Sequence, residues 1–190
     1  MNRFRRALAT ATAIASLVVA EKAATLEDSS LRGDGKVGER RSRVRSIAND
    51  TFDWSETAKR SLARHWQSLN DGQREEFVKL FGDLLERSYI SKIELYGGER
   101  IVYVGESIDG DLALVRTKIL TKQGTDVPIE YRMIRRGDRW MVYDVVIESV
   151  SMVANYRTQF NRIIQASSYQ ELVKKMKTKQ DEARYSDGLK

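Results

Sequence analysis

Cysteine is absent from the 190 residues, which excludes disulfides, thiolate nucleophiles and thiolate metal sites in any compartment. There is one proline, Pro128, as suits long helices and regular strands. There is one histidine, His65, so a histidine-based zinc site lacks its ligand set. A Ser-His-Asp arrangement would have to use His65, yet no Gly-x-Ser-x-Gly occurs in the chain. His65 lies between Arg64 and Trp66 in a helical pattern and reads as a structural, hydrogen-bonding histidine. Carboxylate pairs exist, but none stands out from the solvated background. The sequence therefore predicts no catalytic residue, no metal site and no cofactor.

Long apolar runs are scarce. The single candidate is Ala7 to Ala20, 14 residues preceded by Arg3, Arg5 and Arg6 and ending in Val18-Val19-Ala20. It is shorter than the roughly 20 residues that span a bilayer. The layout is that of a secretory signal peptide over residues 1–20, or else of an amphipathic first helix. Cleavage after Ala20 would remove three of the arginines behind the formal net charge of +6. What remains is too mild to argue for nucleic acid, and compatible with transient attraction to an anionic membrane surface.

The composition, 41% hydrophobic and 32% charged, is that of a globular chain with a sizeable core. Residues 21–38 read as a loop or short helix. From Glu39, Val44, Ile47 and Ala48 recur at helical spacing among Arg40, Arg41, Arg43 and Arg45, which read as a solvated face. Asp53 with Glu56 has the form of a capping box opening a helix through Ala58, Leu62 and Trp66, and Asn70 with Gln73 is a looser version. Phe77, Leu80, Phe81, Leu84, Leu85 and Tyr89 then form one wide apolar stripe, ended by Gly97-Gly98.

Strand texture follows. Ile101 to Ser107, Leu112 to Thr121, Val127 to Arg135 and Trp140 to Ile147 are separated by turns at Asp109-Gly110, Gln123 to Asp126 and Arg136 to Asp138, an antiparallel meander of four strands. Simple alternation puts Trp140, Val142 and Val146 on one face of the last strand, and Met141, Tyr143, Val145 and Ile147 on the other. Such a strand is covered on both sides or lines a cavity on one. Val150, Val153, Tyr156, Phe160, Ile163 and Ile164 mark a further helix. Ser167 with Gln170 caps a last one carrying Leu172, Val173 and Met176, with Lys174, Lys175, Lys177 and Lys179 toward water. The class is α+β, with one domain over 39–180 and a flexible tail at 181–190.

Three patterns lack the mechanism behind them. Gly33-Asp34-Gly35-Lys36-Val37-Gly38 follows no strand and opens no βαβ unit. Asp109-Gly110-Asp111 is too short for a calcium loop. Asn49-Asp50-Thr51 is a glycosylation sequon by pattern alone.

From about Arg40 to Lys179 the chain resembles the MlaC, or toluene-tolerance, family of periplasmic phospholipid-binding proteins. The resemblance is carried by Phe52-Asp53-Trp54 with Ala58-Lys59-Arg60-Ser61-Leu62 and Arg64-His65-Trp66; by Gln73-Arg74, Glu76-Phe77 and Phe81; and most strongly by Pro128-Ile129-Glu130-Tyr131-Arg132, Trp140 to Glu148, Val150-Ser151, Asn155-Tyr156-Arg157 and Gln159-Phe160. Trp54 departs from a common second phenylalanine. Ala63 and Ser149 stand where glycine is usual.

The resemblance implies a twisted antiparallel sheet wrapped by helices around an apolar pocket. It implies a non-enzymatic periplasmic carrier with phospholipid as cargo, shuttling between an inner-membrane ABC transporter bearing MCE domains and an outer-membrane lipoprotein–porin complex. Candidate tail contacts are Phe81, Leu84, Leu85, Tyr89, Val102, Val104, Ile119, Tyr131, Met133, Met141, Tyr143, Val145, Val153, Tyr156 and Phe160. Arg132, Arg157 and the basic helix of Arg41 to Arg45 are candidates for headgroups or partners. A chain of roughly 16 carbons needs burial on the order of 10 kcal/mol, at about 0.8 kcal/mol per CH₂. The same stripes fit an acyl-chain cavity or a packed core. Other readings are a carrier of a hopanoid or other lipid, a ligand-free envelope scaffold, an enzyme using His65 and, weakest, a nucleic-acid binder.

Overall fold

The computed structural model describes residues 37–94, 100–121 and 124–188. The expected signal peptide, the Gly33–Gly38 pattern and Gly97-Gly98 lie outside these, wholly or in most of their length. The elements in chain order are α1 (Val37–Thr51), α2 (Trp54–Leu62), a 3₁₀ turn (Ala63–Trp66), α3 (Asp71–Glu94), β1 (Arg100–Asp109), β2 (Leu112–Leu120), β3 (Asp126–Arg136), β4 (Arg139–Ile147), β5 (Val150–Ser151), α4 (Met152–Ala166) and α5 (Tyr169–Gly188). The class is α+β, as expected. The stretch 39–180 read as one domain is built from two compact units: α1 with the five strands, and the remaining helices. Helix α5 runs on through residues 181–188, where a tail was expected.

The sheet is antiparallel in the order β1-β2-β3-β4-β5. Its fifth strand is a correction to the four-stranded expectation. Val150, assigned to a helix from its spacing, pairs instead with Ile147. The first and third turns have two-residue loops, Gly110-Asp111 and Gly137-Asp138, between the pairs Asp109–Leu112 and Arg136–Arg139. Both place glycine first with φ of 57° and 60°, the backbone that a right-twisted hairpin requires there.

Two bulges interrupt the ladders. Tyr103 pairs with Thr117 and Gly105 with Arg116, so Val104 is an inserted residue in β1. Arg132 pairs with Asp144 and Met133 with Val142, so Tyr143 is inserted in β4. An inserted residue reverses which side chains share a face. The buried cluster of this unit is Ala113, Val115, Met133, Trp140 and Val142, with Phe52, Ile108, Tyr131 and Val145 packed on it. The end of α1 is tied to β4: Asp53 N–H donates to the Val142 carbonyl at 2.8 Å, and Arg139 Nη2 to the Asp50 carbonyl at 2.6 Å. Arg136 Nε donates to Asp53 Oδ2 at 2.7 Å.

In the helical unit, the Asn70–Gln73 signal proves to be a complete capping box. Asn70 N–H donates to Gln73 Oε1 at 3.0 Å and Gln73 N–H to Asn70 Oδ1 at 2.9 Å. Helix α5 is capped one residue later than expected, the Glu171 N–H donating to Ser168 Oγ at 3.1 Å. The helix expected to run from Asp53 through Trp66 breaks at Ala63, whose φ of 49° cannot continue a right-handed helix. Leu62, Phe77, Leu80, Phe81, Leu85, Val153, Phe160, Leu172, Val173 and Met176 form the buried interior of this unit. Phe81 contacts Phe160 and Tyr156 edge-on at 5.1 and 5.0 Å, and Phe77 contacts Phe160 likewise at 5.5 Å.

Candidate functional site

Residues opposite each other in an antiparallel ladder share a face. Across this sheet the register makes one continuous row: Tyr103, Thr117, Ile129, Ile147 and Val150. It lies on the same face as the buried cluster, because Thr117 is two residues from Val115 and Ile129 two residues from Tyr131. A parallel row, Ile101, Ile119 and Val127, lies beyond it. Where the buried cluster is closed, these two rows are partly open. Tyr103 is 48% exposed, Val150 62% and Ile147 37%, with Ile101, Ile119 and Val127 half-buried.

The opposite face is polar at the same level. Arg116 pairs with Glu130 at 3.6 Å, Lys118 with Asp126 at 2.7 Å and Arg132 with Asp144 at 3.2 Å. Asp144 is 1% exposed and also accepts from Ser151 Oγ at 2.6 Å, which ties β4 to β5. These ion pairs share their face with Val102, Met141 and the buried Val146.

Three hydroxyls stand on the apolar face, those of Tyr103, Thr117 and Tyr131. Burial pushes the Tyr131 phenol above its ordinary value, and a hydrogen bond with the Thr117 side chain opposes the shift. Thr117 is itself buried, at 4% exposure.

The candidate tail contacts divide accordingly. Ile119, Tyr131, Met133 and Val145 share the apolar face, with Met133 fully enclosed. Val102 lies opposite Lys118 and Met141 opposite Ile134, which places both on the other face. Val104 and Tyr143 are the bulge residues themselves, the first exposed and the second buried. The alternation read for β4 is corrected likewise: Trp140 and Val142 share a face with Val145 and Ile147, and Met141 with Val146. Sequence reasoning passed over Ile101, Tyr103, Ile147 and Val150. The signal for the first two was Gly105, since a glycine inside a strand pattern marks a bulge.

In the helical unit, Phe81, Leu85, Val153 and Phe160 are buried in mutual packing, while Leu84 and Tyr156 are half-buried. Tyr89 lies on α3, its side chain outside the described residues. His65 Nε2 is 3.0 Å from Asn161 Oδ1, which also accepts from Arg64 Nη2 at 2.8 Å, a structural arrangement as expected. Arg157 Nε donates to the Arg60 carbonyl at 3.0 Å. Arg43 and Arg45 are exposed on α1. Among the described residues no cluster of His, Asp or Glu could hold a metal ion, and no helix is long and apolar enough to cross a membrane.

A curated relative from Haemophilus influenzae, the intermembrane phospholipid transport system binding protein MlaC, is 29% identical over 120 residues, covering 60% of this chain and 56% of the relative. The chain thus matches little more than half the length of that relative. A solved structure of the phospholipid-binding protein from Ralstonia solanacearum, in complex with a phospholipid, superposes with a TM-score of 0.76 at 23% identity. It covers 88% of this chain and 95% of that one, and shows that the fold is shared. The family model described as MlaC protein matches residues 18–178, most of the sequence and both structural units, and the chain therefore belongs to the MlaC family.

Proposed function

We propose that this protein is a phospholipid carrier that binds acyl chains on the apolar face of its sheet and performs no bond chemistry. The observation that carries the reading is the row Tyr103–Thr117–Ile129–Ile147–Val150, apolar but for the Tyr103 and Thr117 hydroxyls, with both ends open and ion pairs on the face behind it. An acyl chain leaving a bilayer needs this kind of surface, since each CH₂ exposed to water costs about 0.8 kcal/mol. Membership of the MlaC family and the phospholipid held by the Ralstonia solanacearum protein of the same fold support the same reading.

The wider role follows from the family. The carrier works in the periplasm, exported by a signal peptide over residues 1–20. It receives or delivers lipid at an inner-membrane ABC transporter with MCE domains and at an outer-membrane lipoprotein–porin complex. Ile119, Tyr131 and Val145, together with Tyr103, Ile147 and Val150, are the proposed tail contacts of the sheet. Leu84 and Tyr156 are the half-buried candidates of the helical unit.

The test is native mass spectrometry of the protein purified without detergent, with solvent extraction of any bound lipid. Stoichiometric diacyl phospholipid is the expected result. Bound hopanoid would redirect the cargo assignment. A protein that is empty and takes up no added phospholipid would be a packed scaffold, and the proposal would be wrong.

A further inference from the structure

Strand β1 is an edge of the sheet. It pairs with β2 on one side, and among the described residues no strand or bridge pairs with the other. Its middle is open, with Tyr103 48% and Val104 58% exposed, and Arg100, Ser107 and Asp109 are exposed as well. An edge of 10 residues with free backbone donors and acceptors is a template for a further strand. A bulge in an edge strand commonly discourages such pairing, and β1 has one at Val104. Here the bulge has a second effect. Opposed residues of an antiparallel pair share a face. A regular strand of this length therefore cannot pair end to end with its own copy, because its first and last residues point to opposite faces. The inserted Val104 removes that mismatch. Ile101, Tyr103, Glu106 and Ile108 all lie on the apolar face, across from Ile119, Thr117, Val115 and Ala113, while Arg100, Val102, Ser107 and Asp109 lie on the other.

We propose that β1 pairs antiparallel with β1 of a second copy of this chain, about a two-fold axis between Val104 and Gly105. That register sets Arg100 opposite Asp109, Ile101 opposite Ile108, Val102 opposite Ser107 and Tyr103 opposite Glu106, each pair occurring twice by symmetry. Val104 comes to lie opposite Gly105, which has no side chain and open space around it. The charges at the two ends select the occupant. Elsewhere on the sheet Arg116, Lys118, Arg132 and Arg135 each hold a carboxylate of the same chain. Arg100 and Asp109 hold no opposite charge among the described residues. A second copy supplies the missing charge to both, and sliding the strands by two residues in either direction removes both ion pairs. The pairing also continues the apolar face: the row Val127–Ile119–Ile101 of one copy runs on into Ile108–Ala113–Met133 of the other.

The test is sedimentation velocity of the purified protein from low to high micromolar concentration. Wild type is expected to show a reversible monomer–dimer equilibrium. Arg100→Glu places like charges opposite each other at both ends of the pairing and should weaken the dimer about tenfold, as should Asp109→Arg. Arg100→Glu with Asp109→Arg restores opposite charges and should return the dimer constant to within about threefold of wild type. A covalent readout fixes the register, since the chain has no cysteine of its own. Under mild oxidation, Val102→Cys with Ser107→Cys should give a disulfide-linked dimer on a non-reducing gel, and neither single variant should. A protein that stays monomeric at high micromolar concentration would overturn the proposal. So would a dimer that ignores both reversals, a double reversal that fails to recover, or a double cysteine variant that does not cross-link, because the copies would then meet elsewhere or in another register. None of these outcomes bears on lipid binding, so the carrier reading stands or falls apart from them.

Discussion

Replacing Ser149 by glycine should make the protein more stable. Ile147 pairs with Val150, so Glu148 and Ser149 are the two central residues of the β4–β5 turn. Their φ angles are 48° and 68°. This is the type I′ form, which favours Asn-Gly and is met here by two residues with full side chains. A residue with a Cβ held in the left-handed region costs about 1–2 kcal/mol. Glycine avoids that cost but gives back about 0.4–1 kcal/mol through the greater freedom of the unfolded chain. The net expectation for Ser149→Gly is a gain of about 0.5–1 kcal/mol. Ala63, exposed and with φ of 49°, should respond alike. The two positions belong to different units, and their effects should add. At about 2–4 °C per kcal/mol for a chain of this size, the double variant should melt several degrees higher. The assay is urea and thermal unfolding of lipid-free protein by circular dichroism. Gly137→Ala is the opposing control: its φ of 60° should make alanine destabilising by about 1 kcal/mol. Single glycine variants with unchanged or lower midpoints would refute the strain argument.

Three further outcomes follow from the geometry. Asp144→Ala should cost about 2–3 kcal/mol, because Ser151 Oγ loses its acceptor and Arg132 its ion partner, with Asp144→Asn milder; the urea midpoint reads both. Asn70→Ala should cost about 1 kcal/mol by opening the capping box at the start of α3, visible as a lower melting temperature with Gln73 left in place. Burial, and then the charge of Glu76, raise the Tyr169 phenol to about 12 from its ordinary 10. The folded state therefore keeps a proton that the unfolded state releases, so this contribution to stability is whole below pH 10 and declines between about pH 10 and 12. Tyr169→Phe should lose that alkaline decline, along with the hydrogen bond its hydroxyl donates to the Gln73 carbonyl at 3.0 Å, and a pH series of urea midpoints would detect it.

The local grammar of this protein was legible in its sequence. Helix spacing found α3 and its apolar stripe, glycine-containing turns found the hairpins, and Asn70-x-x-Gln73 found a cap, because each depends on residues within a few positions of one another. The structural role of His65 was legible from what the chain lacks around it. Ala63 and Ser149, noted as departures from the glycine usual in the resembled family, both fall at positive φ, which only the structure shows.

The two bulges are what sequence could not show. Alternation carried unbroken through β1 selects Val102 and Val104, and carried through β4 groups Met141 with Val145. One inserted residue in each strand reverses parity, and brings Ile101 and Tyr103 to the apolar face in place of Val102. The choice to bulge depends on how each strand's twist and packing meet its neighbour, which no single strand encodes. Whether an apolar stripe is packed or open is a tertiary matter for the same reason. Phe81 and Phe160 were as plausible as tail contacts as Ile119. The helical unit closes upon them, while the sheet leaves its far rows partly bare. Periodicity determined which side chains turn away from water, and only the assembled fold decided which of them still lack a protein partner.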